Sequence, residues 1–428
     1  MVSAMSSDVP GDAILDDLRA RGLLQDTTDE AALRERLVAG PVTVYCGFDP
    51  TADSLHIGNL VPLLLLRRFQ DFGHRPIALA GGATGMVGDP SGRSDERNLL
   101  DGETLDRNLS AIKAQLGLLL DIGGRAELVD NREWIVNVTA LEFLRDVGKL
   151  VTVNTMLAKE SIKNRLDGEQ GISYTEFSYM LLQANDFAAL FERFGCELQV
   201  GGSDQWGNIT AGIDMIRRRF AARAHGLTVP LITRSDGAKF GKTTEGAIWL
   251  DPAKTLPYEF HQYFLRTDDR DVERFLLQLT LLPVEQVVEV MAEHVKAPER
   301  RQAQHVLADA VTELIHGAGE VRRSNLAASA LFGGEDFSGE ALESLRGIVA
   351  ETELSAAVLT EEEPLVAVLA ATGIASSKGD ARRTVAQGGI RINGSRIEDG
   401  DPLPPAVDGR WLLIQKGKKQ RHLVVFKD

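Results

Sequence analysis

The stretch YCGFDPTADSLHIGN, Tyr45 to Asn59, joins the end of a strand to the start of a helix. Upstream, Pro41 to Phe48 has the β-branched and aromatic content of a strand. Downstream, Ile57 to Phe72 has helical period and length, and Gly73 to Pro76 stops it. Pro62 removes a backbone donor early in that helix, so the sequence predicts a start within a residue or two of it, or a local kink. Arg75 to Ala80 is a second strand, running into the glycine-rich GGATGMVGDPSGR. Strand, helix, strand is a βαβ unit of a parallel sheet, and ligands of such sheets bind beyond the carboxyl ends of the strands. Tyr45–Asn59 and Gly81–Arg93 both fall at that edge. A helix start there offers unpaired N–H groups and partial positive charge, a natural seat for phosphate.

Outward from this unit, Ile14 to Ala39 reads as two short amphipathic helices. Asp101–Leu120, Ala140–Leu157, the long apolar Thr175–Phe194 and Ile209–Ala224 also read as helices, with strands at Cys196–Gly201 and Thr228–Thr233. The division expected is an α/β domain over 1–250, a helical domain over 251–332, a tether over 333–363 rich in Gly, Ser and Glu, and a small α/β module over 364–428. No internal repeat is visible.

Composition narrows the function classes. The 428 residues, 43% hydrophobic and 25% charged, suit a soluble chain of two or three domains. Cys46 and Cys196 supply neither a disulfide framework nor a metal-ligand cluster, and a reducing cytoplasm is the expected compartment. The amino terminus lacks the pattern of a signal peptide. No apolar run approaches the roughly 20 residues that span a bilayer, so no membrane partner is expected. The net charge of −15 is uneven: from Ser376 to Asp428 there are 11 Lys+Arg against 6 Asp+Glu, a net of +5, leaving −20 on the remainder. A basic tail on an acidic body fits a module that handles a polyanion, or a chance clustering of solvated lysines.

Several constellations carry chemistry. Tyr179, Gln183 and Asp186 are spaced i, i+4, i+7 on one face of an apolar helix. They form either a solvent-facing polar stripe or the wall of a pocket for a small polar ligand, since a buried carboxylate needs partners. GGSDQWGN places Asp204 and Gln205 after two glycines, as ribose and carboxylate contacts or as an ordinary capped turn. His56 sits at the helix start. Lys239 and Lys242, in KFGKT, are a solvated loop or a source of cations for a departing pyrophosphate; Arg93 and Arg97 are further candidates for that task. HIGN and KFGKT in this order point to activation of a carboxylate by ATP.

At these motifs the chain resembles a known family. HIGN with KFGKT is similar to the paired signatures of class I aminoacyl-tRNA synthetases. GFDPTADSLHIGN, GGATGMVGDP, TEFSYMLLQANDF and GGSDQWGN together resemble the bacterial-type tyrosyl-tRNA synthetases, over essentially the whole chain. The resemblance implies an α/β fold with a Rossmann-like parallel-sheet catalytic domain, then an α-helical tRNA-recognition domain and a small α/β RNA-binding module, in a homodimer. It implies L-tyrosine, ATP and tRNA(Tyr) as substrates, with Mg²⁺ brought by ATP and no protein-bound metal.

By motif, the resemblance assigns Tyr45 and Asp186 to the substrate phenol, Asp89, Tyr179 and Gln183 to its ammonium, and Gln205 to the carboxylate side. ATP would be bound by Cys46, Gly47, Asp49, His56, Gly58, Gly202, Asp204 and Lys242. Thr51, His56, Asn59, Lys239, Lys242 and Thr243 would act at the phosphates, with Arg93 and Arg97 as helpers. Asn59 stands where the commoner form of the motif has a second histidine; asparagine does not titrate near neutrality, so it is expected to act by stabilising charge. The segment SSKGDARRTVAQGGIRINGSRI resembles an RNA-binding module of a small-subunit ribosomal protein, with Lys378, Arg382, Arg383 and Arg391 as RNA contacts. Three alternatives remain: a tryptophan-activating relative, a nucleotidylyltransferase or pantothenate-synthetase-like ligase, and an RNA-binding or splicing accessory protein on a retired scaffold.

Overall fold

The computed structural model describes residues 11–89, 91, 100–166, 171–237, 240–243, 246–333, 337–417 and 420–427. The chain separates into two compact units: the chain up to Thr255 with Tyr263–Ile315, and Leu256–Gln262 with His316–Asp428.

The first unit is organised by a six-stranded sheet of β1 (Asp26–Thr27), β2 (Thr43–Phe48), β3 (Arg75–Ala80), β4 (Glu127–Asp130), β5 (Cys196–Gly202) and β6 (His225–Val229), in the order β1-β6-β5-β2-β3-β4. All neighbours are parallel except the short edge strand β1, which runs antiparallel to β6. The chain passes from β2 outward through β3 and β4, then returns to lay β5 on the other side of β2. The β2/β5 junction is therefore the point where the topology reverses, and crevices at such points receive ligands. The helix Leu60–Asp71 crosses from β2 to β3 and is buried nearly all round, with Leu60, Leu63, Leu64, Leu65, Leu66 and Phe69 in the core. Pro62 causes no kink. It is the third residue of the helix, where its missing N–H is one of the donors a helix start leaves unpaired in any case.

Helices Tyr174–Phe194 and Trp206–Phe220 pack together and share a core with Tyr45, Ile77, Val129 and Trp134. The former ends on Gly195 in the left-handed region, as a helix C-terminus favours.

Some boundaries differ from the sequence reading. β6 begins at His225 and ends at Val229, because Pro230 has no N–H to continue the ladder. The helix expected over Ala140–Leu157 is broken into Ala140–Glu142, a wide turn at Phe143–Val147, a tight turn at Gly148–Leu150 and Val153–Leu157. β4 was not expected at all; four residues are too few to show a period. Helices Asp269–Leu279, Val284–His294 and Gln302–His316 follow the helical expectation for that stretch.

After the small hairpin of β7 (Lys242–Thr243) and β8 (Gly246–Ala247), the second unit holds β9 (Ala350–Ser355), β10 (Ile390–Ile392), β11 (Ser395–Arg396), β12 (Trp411–Lys416) and β13 (Gln420–Lys427). Their order is β11-β10-β12-β13-β9, with only β9 and β13 parallel. Helices Pro364–Ala371 and Lys378–Ala386 cover one face, and Ala327, Ala330, Leu342 and Leu345 cover part of the other. Within 333–363, read as a tether, the described residues include the helix Gly339–Glu343 and strand β9, in register with β13. The Glu351 and Glu353 that made this stretch look like linker occupy an edge strand, where charged side chains reach water. No helix of the described residues is long and apolar enough to cross a membrane.

Candidate active site

A cavity of about 320 Å³ opens at the carboxyl ends of β2, β3, β5 and β6, at the topological switch point. The β2 end contributes Tyr45, Cys46, Gly47 and Asp49, the following turn Thr51, His56, Gly58 and Asn59. The long helix contributes Tyr179, Gln183 and Asp186, and the β5 end Gly202, Asp204 and Gln205. Asp89 enters from the glycine-rich loop. The polar side chains on the Tyr174–Phe194 helix face this cavity, which decides against the solvent-facing stripe.

Tyr45 and Asp186 both line it, each 1% exposed. The Tyr45 hydroxyl is buried without a hydrogen-bond partner among the described residues, and its ring tilts against Phe187 at 5.2 Å. Burial, reinforced by the neighbouring Asp186 charge, pushes its hydroxyl well above the usual phenol range. Asp186 accepts from Trp134 Nε1 at 2.7 Å and Asn131 Nδ2 at 3.0 Å. Burial pushes the Asp186 carboxyl up to about 7, against the pull of those two donors. Asn131 also accepts from the Ala83 N–H at 2.6 Å and donates to Thr84 Oγ1 at 3.0 Å. Neither Asn131 nor Trp134 was singled out in the sequence; the signal was a polar residue at the end of a strand too short to recognise.

The remaining polar groups form two chains. Tyr179 donates to Asp49 Oδ2 at 3.2 Å, and Thr84 to Asp49 Oδ1 at 3.2 Å. Gln183 Nε2 donates to Gln205 Oε1 at 3.3 Å, and Gln205 Nε2 donates to Asp89 Oδ2 at 2.9 Å. Tyr179 is thus bonded to Asp49, while Gln205 links Gln183 to Asp89. The Asp204 carboxyl is raised by burial, and the Asp89 charge adds to this. Burial pushes the Cys46 thiol up to about 12, so it stays neutral. Carboxyl groups at one end suit a cation and hydroxyl groups, and phosphates are better placed at the helix start.

At that start, His56 caps the turn Ile57–Asn59: its Nδ1 accepts from the Gly58 N–H at 3.0 Å, which leaves Nε2 as the edge that carries the ring proton. Asn59 Oδ1 accepts from the His56 N–H at 3.1 Å. The carboxamide that the sequence offered as a charge stabiliser completes a reciprocal cap. The lysine segment returns to the same place. Gly241 accepts from the Ile248 N–H at 3.0 Å, and Ile248 accepts from the Ile57 N–H at 3.0 Å. Arg93, Arg97 and Lys239 lie outside the described residues. Lys242 and Thr243 are placed by their backbone in β7.

In the second unit, Lys378 pairs with Glu361 at 2.9 Å, Arg382 with Glu363, and Arg383 with Asp380 at 3.6 Å. Arg391 stands differently. It lies opposite Arg396 on β11 and Gln415 on β12, and Gln415 lies opposite Arg421 on β13. Residues directly opposite share a face, so Arg396, Arg391, Gln415 and Arg421 form one row across four strands. Arg391 and Arg396 have no ion pair among the described residues. Arg391 and Arg421 line a concavity of about 560 Å³ beside Phe332, which is 70% exposed. Arg396 and Arg421 were not singled out in the sequence.

Comparison with known proteins adds independent findings. A family model described as "tRNA synthetases class I (W and Y)" matches residues 38–333, and one described as "Tyrosine--tRNA ligase SYY-like C-terminal domain" matches residues 349–424. The chain is 53% identical to a tyrosine–tRNA ligase of Opitutus terrae over 95% of this chain and 98% of that one. It is 49% identical to one from Geobacillus stearothermophilus over 96% and 99%. Among solved structures, a C-terminally truncated mitochondrial tyrosyl-tRNA synthetase of Aspergillus nidulans superposes with a TM-score of 0.68 at 34% identity, covering 74% of this chain and 94% of that one. A tryptophanyl-tRNA synthetase of Plasmodium falciparum shares the fold at a TM-score of 0.56 and 15% identity, covering 75% and 90%.

Proposed function

The chain belongs to the tyrosine–tRNA ligases, class I aminoacyl-tRNA synthetases, and from that premise we propose how its residues divide the reaction. L-Tyrosine attacks the α-phosphate of ATP through its carboxylate, giving tyrosyl-adenylate and pyrophosphate; the tyrosyl group then passes to the terminal ribose of tRNA(Tyr). Near-full-length relatives named for tyrosine set aside the tryptophan, nucleotidylyltransferase and retired-scaffold alternatives as the main activity.

The observation that carries the residue assignment is the buried pair Tyr45 and Asp186 lining the cavity. A phenol there donates to the Asp186 carboxylate and accepts from the Tyr45 hydroxyl, completing two groups that burial otherwise leaves costly. Asp89, Tyr179 and Gln183 receive the ammonium, and Gln205 orients the carboxylate. Cys46 and Asp204 take the ribose, with Gly47, Asp49, Gly58 and Gly202 shaping the ATP channel. Thr51 and the Nε2 edge of His56 address the phosphates at the helix start, while Asn59 holds the His56 backbone. Lys239, Lys242, Thr243, Arg93 and Arg97 neutralise charge on the departing pyrophosphate, with Mg²⁺ entering on ATP. Catalysis by this arrangement is positioning and electrostatics.

The same proposal places the catalytic domain at 1–250, a helical tRNA-recognition domain at 251–332 and an RNA-binding module at 364–428, to whose sheet β9 of the intervening 333–363 also belongs, in a cytoplasmic homodimer. Exposed Val136, Leu141, Leu144, Val153 and Tyr174, around the broken helical stretch, support a self-association surface. Lys378, Arg382, Arg383 and Arg391 contact RNA, joined by Arg396 and Arg421. The deciding assay is amino-acid-dependent ATP–pyrophosphate exchange with tyrosine, tryptophan, phenylalanine and β-alanine. Exchange with tyrosine alone is expected; equal exchange with phenylalanine would remove the phenol assignment of Tyr45 and Asp186.

A further inference from the structure

The helix Asp269–Leu279 takes no part in the chemistry above, yet it is bonded to elements carrying both signature segments. Near its amino end the Asp271 carboxylate, 3% exposed, accepts through Oδ2 from the backbone N–H and the hydroxyl of Ser235, each at 2.9 Å. Its other oxygen accepts from Arg274 at 2.6 Å, and Arg274 also donates to the Thr233 carbonyl. On the far side of Lys239, the Phe240 ring meets Phe275 of the same helix edge-on at 5.0 Å. The Gly241 N–H donates to the Tyr263 hydroxyl at 3.0 Å. At the carboxyl end of the helix, the Leu277 and Thr280 carbonyls accept from Arg68, in the last turn of the helix that begins behind His56. Arg21 donates to Leu277 and Leu282 at 3.1 and 2.9 Å.

A carboxylate this deep is tolerated only when its oxygens are filled. Here both bonds of one oxygen go to a single residue 36 positions upstream, four before Lys239. The same helix holds the segment after Lys239 and is fastened at its other end to the His56 helix. An 11-residue helix is a stiff element of about 16 Å.

We propose that Asp271, supported by Tyr263, is a positioning residue for adenylate formation. It fixes the flanks of Lys239 in the frame of the His56 helix, so that the lysines and the histidine meet one triphosphate. This rests on the reading that Lys239 and Lys242 act on that triphosphate.

The test compares Asp271→Ala, Asp271→Asn, Ser235→Ala and Tyr263→Phe in full-length protein. The readouts are pyrophosphate exchange, tyrosine transfer from preformed adenylate to tRNA, and thermal unfolding. Asp271→Ala is expected to lower exchange kcat by roughly 10- to 100-fold, the scale of hydrogen bonds to a charged group. The KM for tyrosine and the transfer rate should stay within about threefold, and Asp271→Asn, which keeps an acceptor, should recover most of the loss. Ser235→Ala and Tyr263→Phe should show smaller losses confined to exchange, and they decide the matter if Asp271→Ala does not fold. Exchange at the wild-type rate, or exchange and transfer falling together, overturns the inference. Lys239→Ala and Lys242→Ala are run beside them: if these lower exchange and Asp271→Ala does not, the inference alone fails. If the lysine variants leave exchange unchanged, the underlying reading fails with it.

Discussion

Trp134 donates its indole N–H to Asp186 at 2.7 Å across 52 residues of sequence, behind the wall of the cavity that Asp186 lines. With Asn131 on the other oxygen, it stabilises the charged form of a carboxyl that burial drives toward the neutral one. The balance leaves Asp186 titrating at about 7, within the working range of an enzyme. If Asp186 receives the substrate phenol, as proposed, tyrosine binding is coupled to a proton.

On the proposed assignment, in which the substrate phenol donates to the Asp186 carboxylate, binding selects the ionised form. Tyrosine affinity should rise with pH through about 7 and level off above it, with a proton released on binding below that point. Between pH 5.5 and 8 the expected gain is roughly ten- to thirtyfold. Calorimetric titration in buffers of different ionisation enthalpy measures both quantities. A flat profile would mean that Asp186 is ionised throughout, or does not meet the phenol.

The same group sets a sign for stability. Its folded value of about 7 lies above its ordinary 3.8, so between these values the folded state holds a proton that the unfolded chain has lost. Stability from this group is full below about pH 4, falls as pH rises to about 7, and is constant beyond. Asp186→Asn keeps the shape without the charge. Its melting temperature relative to wild type should therefore be more favourable at pH 8 than at pH 4.5, while tyrosine-dependent exchange collapses at both.

Trp134→Phe removes one donor and retains an aromatic ring. Losing a hydrogen bond to a charged group is worth about 1.5–3 kcal/mol, or roughly one to two pH units. The midpoint of tyrosine affinity should move upward by that amount, with the KM for ATP unchanged. An unmoved midpoint would show that Trp134 serves packing alone.

The βαβ unit around Tyr45–Asn59 was legible because three signals agreed there: a β-branched run, a helical period and glycines at the turns. The helix face bearing Tyr179, Gln183 and Asp186 was legible from spacing, though its direction was not, since spacing cannot say which side faces a cavity. Asn131 and Trp134 were invisible because β4, with four residues, leaves no pattern and their contact with Asp186 is long-range. β9 was read as tether because Glu351 and Glu353 dominate its composition, while its pairing partner lies some 70 residues downstream. Arg396 and Arg421 join Arg391 only through strand register, which single-sequence reading does not supply.

Gly241 offers a test of how closely the two signature segments must approach. Its φ is +79°, and a Cβ there would lie 2.9 Å from Ile57 Cγ1. Gly241→Ala adds a left-handed strain of about 1–2 kcal/mol to that clash. Adenylate formation should fall by roughly tenfold or more, while tyrosine binding, assigned to Tyr45 and Asp186, stays intact. Equilibrium binding of tyrosine beside single-turnover adenylate formation separates the two. Equal losses in both would place the damage in folding.

The cationic row on the C-terminal sheet can be separated from the helix beside it. Truncating at Glu363 would strip Trp411, Leu413, Leu423 and Val425 from their core with Leu342 and Leu345, so substitutions are cleaner than deletion. Arg391 and Arg396 lie directly opposite each other, where like charges repel, and an anionic partner would relieve that repulsion. Arg382, by contrast, already faces Glu363, and RNA would have to replace that carboxylate. Arg391→Gln and Arg396→Gln should each raise the KM for tRNA severalfold and reduce the salt dependence of tRNA binding by about one counterion, leaving pyrophosphate exchange unchanged. Arg382→Gln should have a smaller effect, because part of its charge is spent within the protein. If Arg382→Gln matches or exceeds Arg391→Gln, RNA lies along the Lys378–Ala386 helix and the sheet row is a solvated surface.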